Sequence, residues 1–236
     1  MAIVETETEP KRPKHPSPPR IVAALNQRAP YWQPQLVVLA AILLGLALPE
    51  RLTLGPTWLL PSVEALLLVG LSIAGTHPRA RYSRLRRQLA IGLIGLVSAV
   101  NAVSLGLLSH FLLHGGKEGG RQLIFSGVAL WGTNVLLFAL WFFELDRGGP
   151  IARALGPERN PDFMFVQMAD GARFSAPDWK PRMTDYLYTS FTNATAFSPT
   201  DTMPLTAAAK WLMTGQALIS LTTVVLIVAR AVNILA

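Results

Sequence analysis

Five long apolar runs divide this chain, and they decide what it can fold into: Tyr31 to Pro49, Thr57 to Gly75, Leu89 to Leu113, Leu123 to Phe143 and Pro204 to Leu235. Each approaches or exceeds the roughly 20 residues that, at about 1.5 Å per residue, carry a helix across the hydrocarbon core of a bilayer. The first is the weakest, its unbroken apolar part running from Leu36 to Pro49. Trp32, Trp58, Trp141 and Trp211 fall near segment ends, where an amphipathic ring prefers the head-group layer. Composition agrees: 51% of the 236 residues are hydrophobic and 15% charged, with a mean hydropathy of +0.37, outside the range of ordinary soluble domains. The chain has no cysteine, which excludes disulfides, Cys-ligated zinc, iron–sulfur clusters and a thiol nucleophile.

The net charge of +7 reads as a topology signal because of where the cations lie. Lys11, Arg12, Lys14, Arg20 and Arg28 precede the first run, and Arg79, Arg81, Arg84, Arg86 and Arg87 fill the link between the second and third. The other two short links hold only Arg51, and Lys117 with Arg121. Basic loops resist translocation, so the tail and the arginine-rich link face the cytoplasm. No nucleic-acid partner is expected; the bilayer is the partner. If all five runs cross, the amino terminus is inside and the stretch from Glu144 to Asp185, with seven acids and six bases, is cytoplasmic. Residues 1–30 are too rich in proline and charge to bury a core and read as a disordered, retained tail, whose cations can touch anionic lipid head groups. Residues 31–143 then hold four transmembrane helices, 144–183 a polar linker, and 184–236 the last part of the bundle.

Three polar residues stand inside the runs. Glu64 lies mid-span, where an ionised carboxylate is costly unless paired, protonated or wet, so it is a candidate for proton coupling or marks a helix distorted by Pro61. Asn101 and Asn134 suit hydrogen bonds between helices. His110 and His114 share a helical face but have no third ligand nearby, so they read as interfacial histidines and no metal or cofactor is expected. No serine elbow, HExxH motif or phosphate-binding glycine loop is present, and the chain is not expected to be an enzyme.

The stretch from Asp185 to Thr206 carries the most information. Asp185 to Thr195 has the length of a short helix, mixing aromatic and hydroxyl residues, and Pro199 sets a turn before the last run. Non-helical backbone at membrane depth is tolerated only where protein or water satisfies it. The expected architecture is therefore an all-α polytopic membrane bundle, five transmembrane helices with a re-entrant pore-like helix and loop between the fourth and fifth.

This segment resembles the pore region of two-helix potassium channels, in which a pore helix ends in Thr, a Thr-Val-Gly-Tyr-Gly-Asp filter follows, and then a Pro and a Thr. Thr195 falls on the threonine before the filter, Ala196, Phe197, Ser198, Pro199 and Thr200 on the filter, and Asp201, Pro204 and Thr206 on the residues after it. A wider resemblance, carried by Val135 to Trp141, Asp185 to Phe191, Thr195 to Phe197, Asp201 and Ala231 to Asn233, is to a bacterial family of integral membrane proteins catalogued as a domain of unknown function. It implies a bacterial inner membrane and no activity.

Ser198 and Thr200 replace the glycines that a potassium filter uses for its backbone conformation, so an ordinary potassium filter is not expected. The resemblance implies an oligomeric, tetrameric pore-loop channel for small cations, lined by hydroxyls of Thr195, Ser198 and Thr200 with Asp201 at one mouth. Potassium channels present this loop from the outside, whereas the charge count brings it in from the cytoplasm; either one of the weaker spans fails to cross, or the module is inverted as in glutamate-receptor channels, the reading favoured here. Two alternatives remain beside it: a non-conducting scaffold or accessory protein that keeps the pore-module fold, and a proton-coupled transporter using Glu64.

Overall fold

The computed structural model describes residues 32–46, 48–49, 62, 65, 80–113, 120–155, 159–169, 179–195 and 201–235. The tail, nearly all of the second apolar run with Glu64, His114, and positions 196–200 of the loop lie outside them. The described chain is a helix bundle of α1 (Trp32–Leu46), α2 (Ala80–Leu113), α3 (Gly120–Leu145), α4 (Pro150–Leu155), α5 (Met183–Thr195) and α6 (Ala207–Leu235). One small antiparallel pair joins them, β1 (Phe163–Met164) with β2 (Met203–Pro204), Phe163 opposite Pro204.

Three stretches are long and apolar enough to cross a membrane: Arg87–Phe111 in α2, Arg121–Gly148 from α3, and Ala207–Val232 in α6. The first expected span is shorter than the sequence promised. α1 has 15 residues, about 22 Å of helix against a core of about 30 Å, and Leu48 turns back onto the Gly45 carbonyl just before Pro49. The third run extends the other way, α2 beginning at Ala80 rather than Leu89, since nothing from Ala80 to Gln88 breaks a helix.

α3 sits at the centre. Of its apolar window 67% is buried, against 28% for α2 and 22% for α6. The sequence explains this, because Leu123, Leu130, Leu137, Phe138, Leu140, Phe142 and Phe143 point in every direction around the helix and are all buried; a helix apolar all round belongs in an interior. α1, α2, α5 and α6 pack around it. Arg87 Nη2 donates to the Glu144 carbonyl at 3.4 Å, so the arginine-rich start of α2 meets the carboxy-terminal end of α3 and the two run antiparallel.

α6 touches the rest of the chain along one stripe, Ala209, Met213, Gln216, Ser220 and Thr223, all buried at the alternating four- and three-residue spacing of one helical face. The opposite face, with Trp211, Leu218 and Val225, is exposed. Gly127 permits the approach of α3 to α6: a Cβ there would lie 2.6 Å from Ile227 Cγ1, so any larger residue must push the helices apart.

The described residues between α3 and α5 include some that are built into the bundle. Phe163 and Phe165 are buried beside Phe142 and Tyr186, with ring centroids 5.0 Å apart for Phe142–Phe163 and 5.4 Å for Phe165–Tyr186. α5 starts two residues before the expected Asp185 because Asp185 Oδ2 reaches back to the Arg182 amide at 2.6 Å, closing the first turn. α6 starts after Pro204, which the sequence reading included in the last span; Thr206 caps it, its Oγ1 accepting from the Ala209 amide at 3.3 Å.

Candidate functional site

At the end of α3 the backbone turns sharply. Arg147, Gly148 and Gly149 take φ of 52°, 80° and 96°, a left-handed run that glycine adopts freely and arginine does not. Asp162 compensates at Arg147, whose amide donates to Asp162 Oδ2 at 2.8 Å. The turn delivers Asp146 into the interior at 0% exposure, where a carboxylate survives only with partners. Oδ1 accepts the Asp162 amide at 2.9 Å, Oδ2 accepts the Tyr186 hydroxyl at 2.6 Å, and Arg147 Nε stands 3.9 Å from Oδ2. Burial, foremost, pushes the Tyr186 hydroxyl well above the ordinary tyrosine value, so it remains a donor to Asp146.

Arg153 completes this latch. Its Nη1 donates to the carbonyls of Phe143 and Asp146 at 2.6 and 2.7 Å, satisfying acceptors that the end of α3 would leave open, and its guanidinium stacks 4.6 Å from the Phe143 ring and 5.2 Å from that of Tyr186. Asp162 carries the connection onward, its Oδ1 accepting the Thr206 hydroxyl at 2.8 Å and its carbonyl the Leu205 amide at 2.8 Å. One buried acid and one half-buried acid thus join the end of α3 to the starts of α5 and α6.

Deeper in the bundle a second set of hydrogen bonds holds α5. Ser190 donates to the Val135 carbonyl at 2.6 Å. Gln216 Nε2 donates to the Ser190 carbonyl at 2.9 Å and to its hydroxyl at 2.6 Å, while Gln216 Oε1 accepts from Asn193 Nδ2 at 2.8 Å. Asn193 Nδ2 also reaches the Met213 carbonyl at 2.9 Å. The Thr189 and Thr202 hydroxyls are 3.0 Å apart, and because Thr189 donates to the Asp185 carbonyl, Thr202 is the donor between them. Ser190 and Gln216 are at 0% exposure, and each polar atom of this mesh that needs a partner has one, as an interior without water requires.

Of the residues singled out in the sequence, Asn134 is buried and donates to Ser220 Oγ at 3.0 Å, bonding α3 to α6. Asn101 is buried in α2. Thr195 ends α5, exposed, its hydroxyl turned back to the Phe191 carbonyl at 2.9 Å. Asp201 is exposed just before β2; Ala196, Phe197, Ser198, Pro199, Thr200 and Glu64 fall outside the described residues. His110 is exposed against Phe111, and no cluster of three or more metal-ligating side chains occurs among the described residues.

Asp162, Arg153 and Gln216 were not singled out, and Tyr186 and Ser190 only as parts of the Asp185 to Phe191 resemblance. Asp146 had a signal, an acid at the end of an apolar run followed by Arg-Gly-Gly-Pro, in which paired glycines announce a left-handed turn. Ser190 and Gln216 had little, because their partners lie 26 residues apart. In comparisons with known proteins, no family model, no curated protein and no solved structure matches this chain.

Proposed function

We propose that this protein is an oligomeric pore-loop channel for small cations in a bacterial inner membrane, with residues 195–201 as the pore segment and the amino-terminal tail in the cytoplasm. The observation that carries the reading is the path of α5. It begins level with the end of α3, where Tyr186 meets Asp146, and descends to Ser190 beside Val135 and Phe191 beside Trp131, near the middle of α3. By Met203 and Pro204 the chain is back at the end where it began, beside Phe163. A descent to the middle of α3 and a return to the same end support the reading of residues 195–201 as a re-entrant segment. Such a path at membrane depth needs internal hydrogen bonds, which the Ser190, Asn193 and Gln216 mesh supplies.

The cations support the orientation. Arg87, Arg147, Arg153, Lys180, Arg182 and Lys210 all belong to the Asp146 end, which the positive-inside rule places in the cytoplasm. A ring of Asp201 carboxylates from several copies would favour cations.

A non-conducting scaffold is the second reading, favoured by serine and threonine at 198 and 200 in place of the filter glycines. Currents from purified oligomer in planar bilayers under potassium, sodium and chloride gradients separate the two. The channel reading expects discrete openings whose cation preference falls in Asp201→Asn. A clean monomer without current would refute it.

A further inference from the structure

We propose that the Asp146 end of the molecule binds anionic phospholipid head groups through Lys180, Arg182 and Lys210, with Val166, Met203, Leu205 and Trp211 seated in the interfacial layer around them. This inference rests on the membrane location alone and needs no pore.

The surface combines two features that only an interface accommodates together. Trp211 is 76% exposed, Met203 59%, Val166 57% and Leu205 47%, large apolar side chains lying at or just beyond the start of the α6 span rather than along its middle. They stand on the elements that close the bundle at this end: the turn after β1, strand β2 with its following residue, and the first helical turns of α6. Lys180, Arg182 and Lys210 are exposed on the same elements and on the approach to α5. One aromatic hub fixes these pieces relative to one another. Phe165 packs on Trp179 at 5.7 Å and on Tyr186 at 5.4 Å, and Phe163 pairs with Pro204 across the strands.

In water such a surface would expose apolar side chains at a cost, and buried in hydrocarbon the cations would be worse. In the head-group layer both are favourable: rings and methionine reach the acyl boundary while lysine and arginine meet phosphate. Among the described residues the exposed charges of this surface are mostly positive: Lys180, Arg182 and Lys210 are exposed together with one acid, Asp201, whereas Asp146 is buried and Glu144, Asp162 and Asp185 are half-buried. Charge complementarity therefore selects an anionic over a zwitterionic lipid.

The test compares the full-length protein in zwitterionic micelles, in the same micelles with phosphatidylglycerol, and with inorganic phosphate at equal concentration. The probe lipid should raise the thermal midpoint of the wild type by on the order of 6 °C at low salt, summing three cations. The rise should shrink at high salt, as surface attraction does. Lys180→Gln/Arg182→Gln/Lys210→Gln should keep the wild-type midpoint in zwitterionic micelles and lose most of the rise, and Arg121→Gln at the opposite end should keep it. An equal rise in the triple variant, or an equal rise with inorganic phosphate, would overturn the proposal. Should the triple variant fold poorly, the single Lys210→Gln variant carries the test, with a loss of about one third expected and no loss contradicting it.

Discussion

The hydrogen bond from Tyr186 to Asp146 should be among the strongest single polar contacts of the described residues. The donor–acceptor distance is 2.6 Å, both side chains are at 0% exposure, and the acceptor carries the charge. Bonds to charged groups contribute about 1.5–3 kcal/mol, roughly twice a neutral one. Tyr186→Phe keeps the ring packed against Phe143, Phe163 and Phe165, so its loss isolates the hydroxyl and should cost about 2 kcal/mol. Asp146→Asn keeps the shape and removes the charge; its own cost includes the weakened contacts to Arg147 and to the Asp162 amide. The double variant should be more stable than the sum of the two losses predicts, by about 1–2 kcal/mol, because the second change removes a bond the first has already broken. Reversible unfolding of the four proteins in mixed micelles measures this coupling directly. Strict additivity, with a coupling under about 0.5 kcal/mol, would refute the claim that the pair acts as one unit.

Three further outcomes follow from the geometry. Gln216→Leu removes three hydrogen bonds that hold α5 to α6 and should cost about 1–3 kcal/mol, read as a fall in the unfolding midpoint; Leu218→Ala, on the exposed face, should leave it within about 0.5 kcal/mol. Gly127→Val forces a side chain into Ile227 and should destabilise by about 1–3 kcal/mol, with much of the loss recovered by Ile227→Ala in the double variant. The raised pKa of Tyr186 fixes a sign: the protonated form belongs to the folded state, so this stability is complete below the unfolded tyrosine value of about 10 and is lost as pH climbs through the folded one. Above pH of about 10 the wild-type midpoint should therefore fall more steeply than that of Tyr186→Phe, and parallel profiles would contradict the assignment.

What the sequence revealed and what it hid follow from range. The runs that became α2, α3 and α6 were readable because each is a local pattern longer than any breaker within it, and α5 was readable because Asp185 closes its first turn from only three residues away. Their ends were less legible: Thr206 caps α6 through a partner next to it, but Asp162 holds Thr206 from 44 positions away. The stretch from Glu144 to Asp185 looked like a polar linker because its seven acids and six bases outweigh its aromatic residues by count. Phe163 and Phe165 nevertheless enter the core, drawn by the open edges of Phe142 and Tyr186. Asparagine in an apolar run suggests a bond between helices, and Asn134 makes one to Ser220; that Ser220 would answer it was not legible.

The central position of α3 has a consequence for biogenesis. In chain order α3 is made after α1 and α2 and before α5 and α6. During that interval Asn134 has no Ser220 and Asp146 has no Tyr186, so a helix destined for the interior would, if released, meet lipid with its polar groups open. The first three described helices alone cannot be a finished core, and α3 should stay shielded within the insertion machinery until the last helix arrives. Chains arrested before Tyr186 should accordingly be released into lipid slowly and degraded fast, whereas chains arrested after Thr223 should be neither.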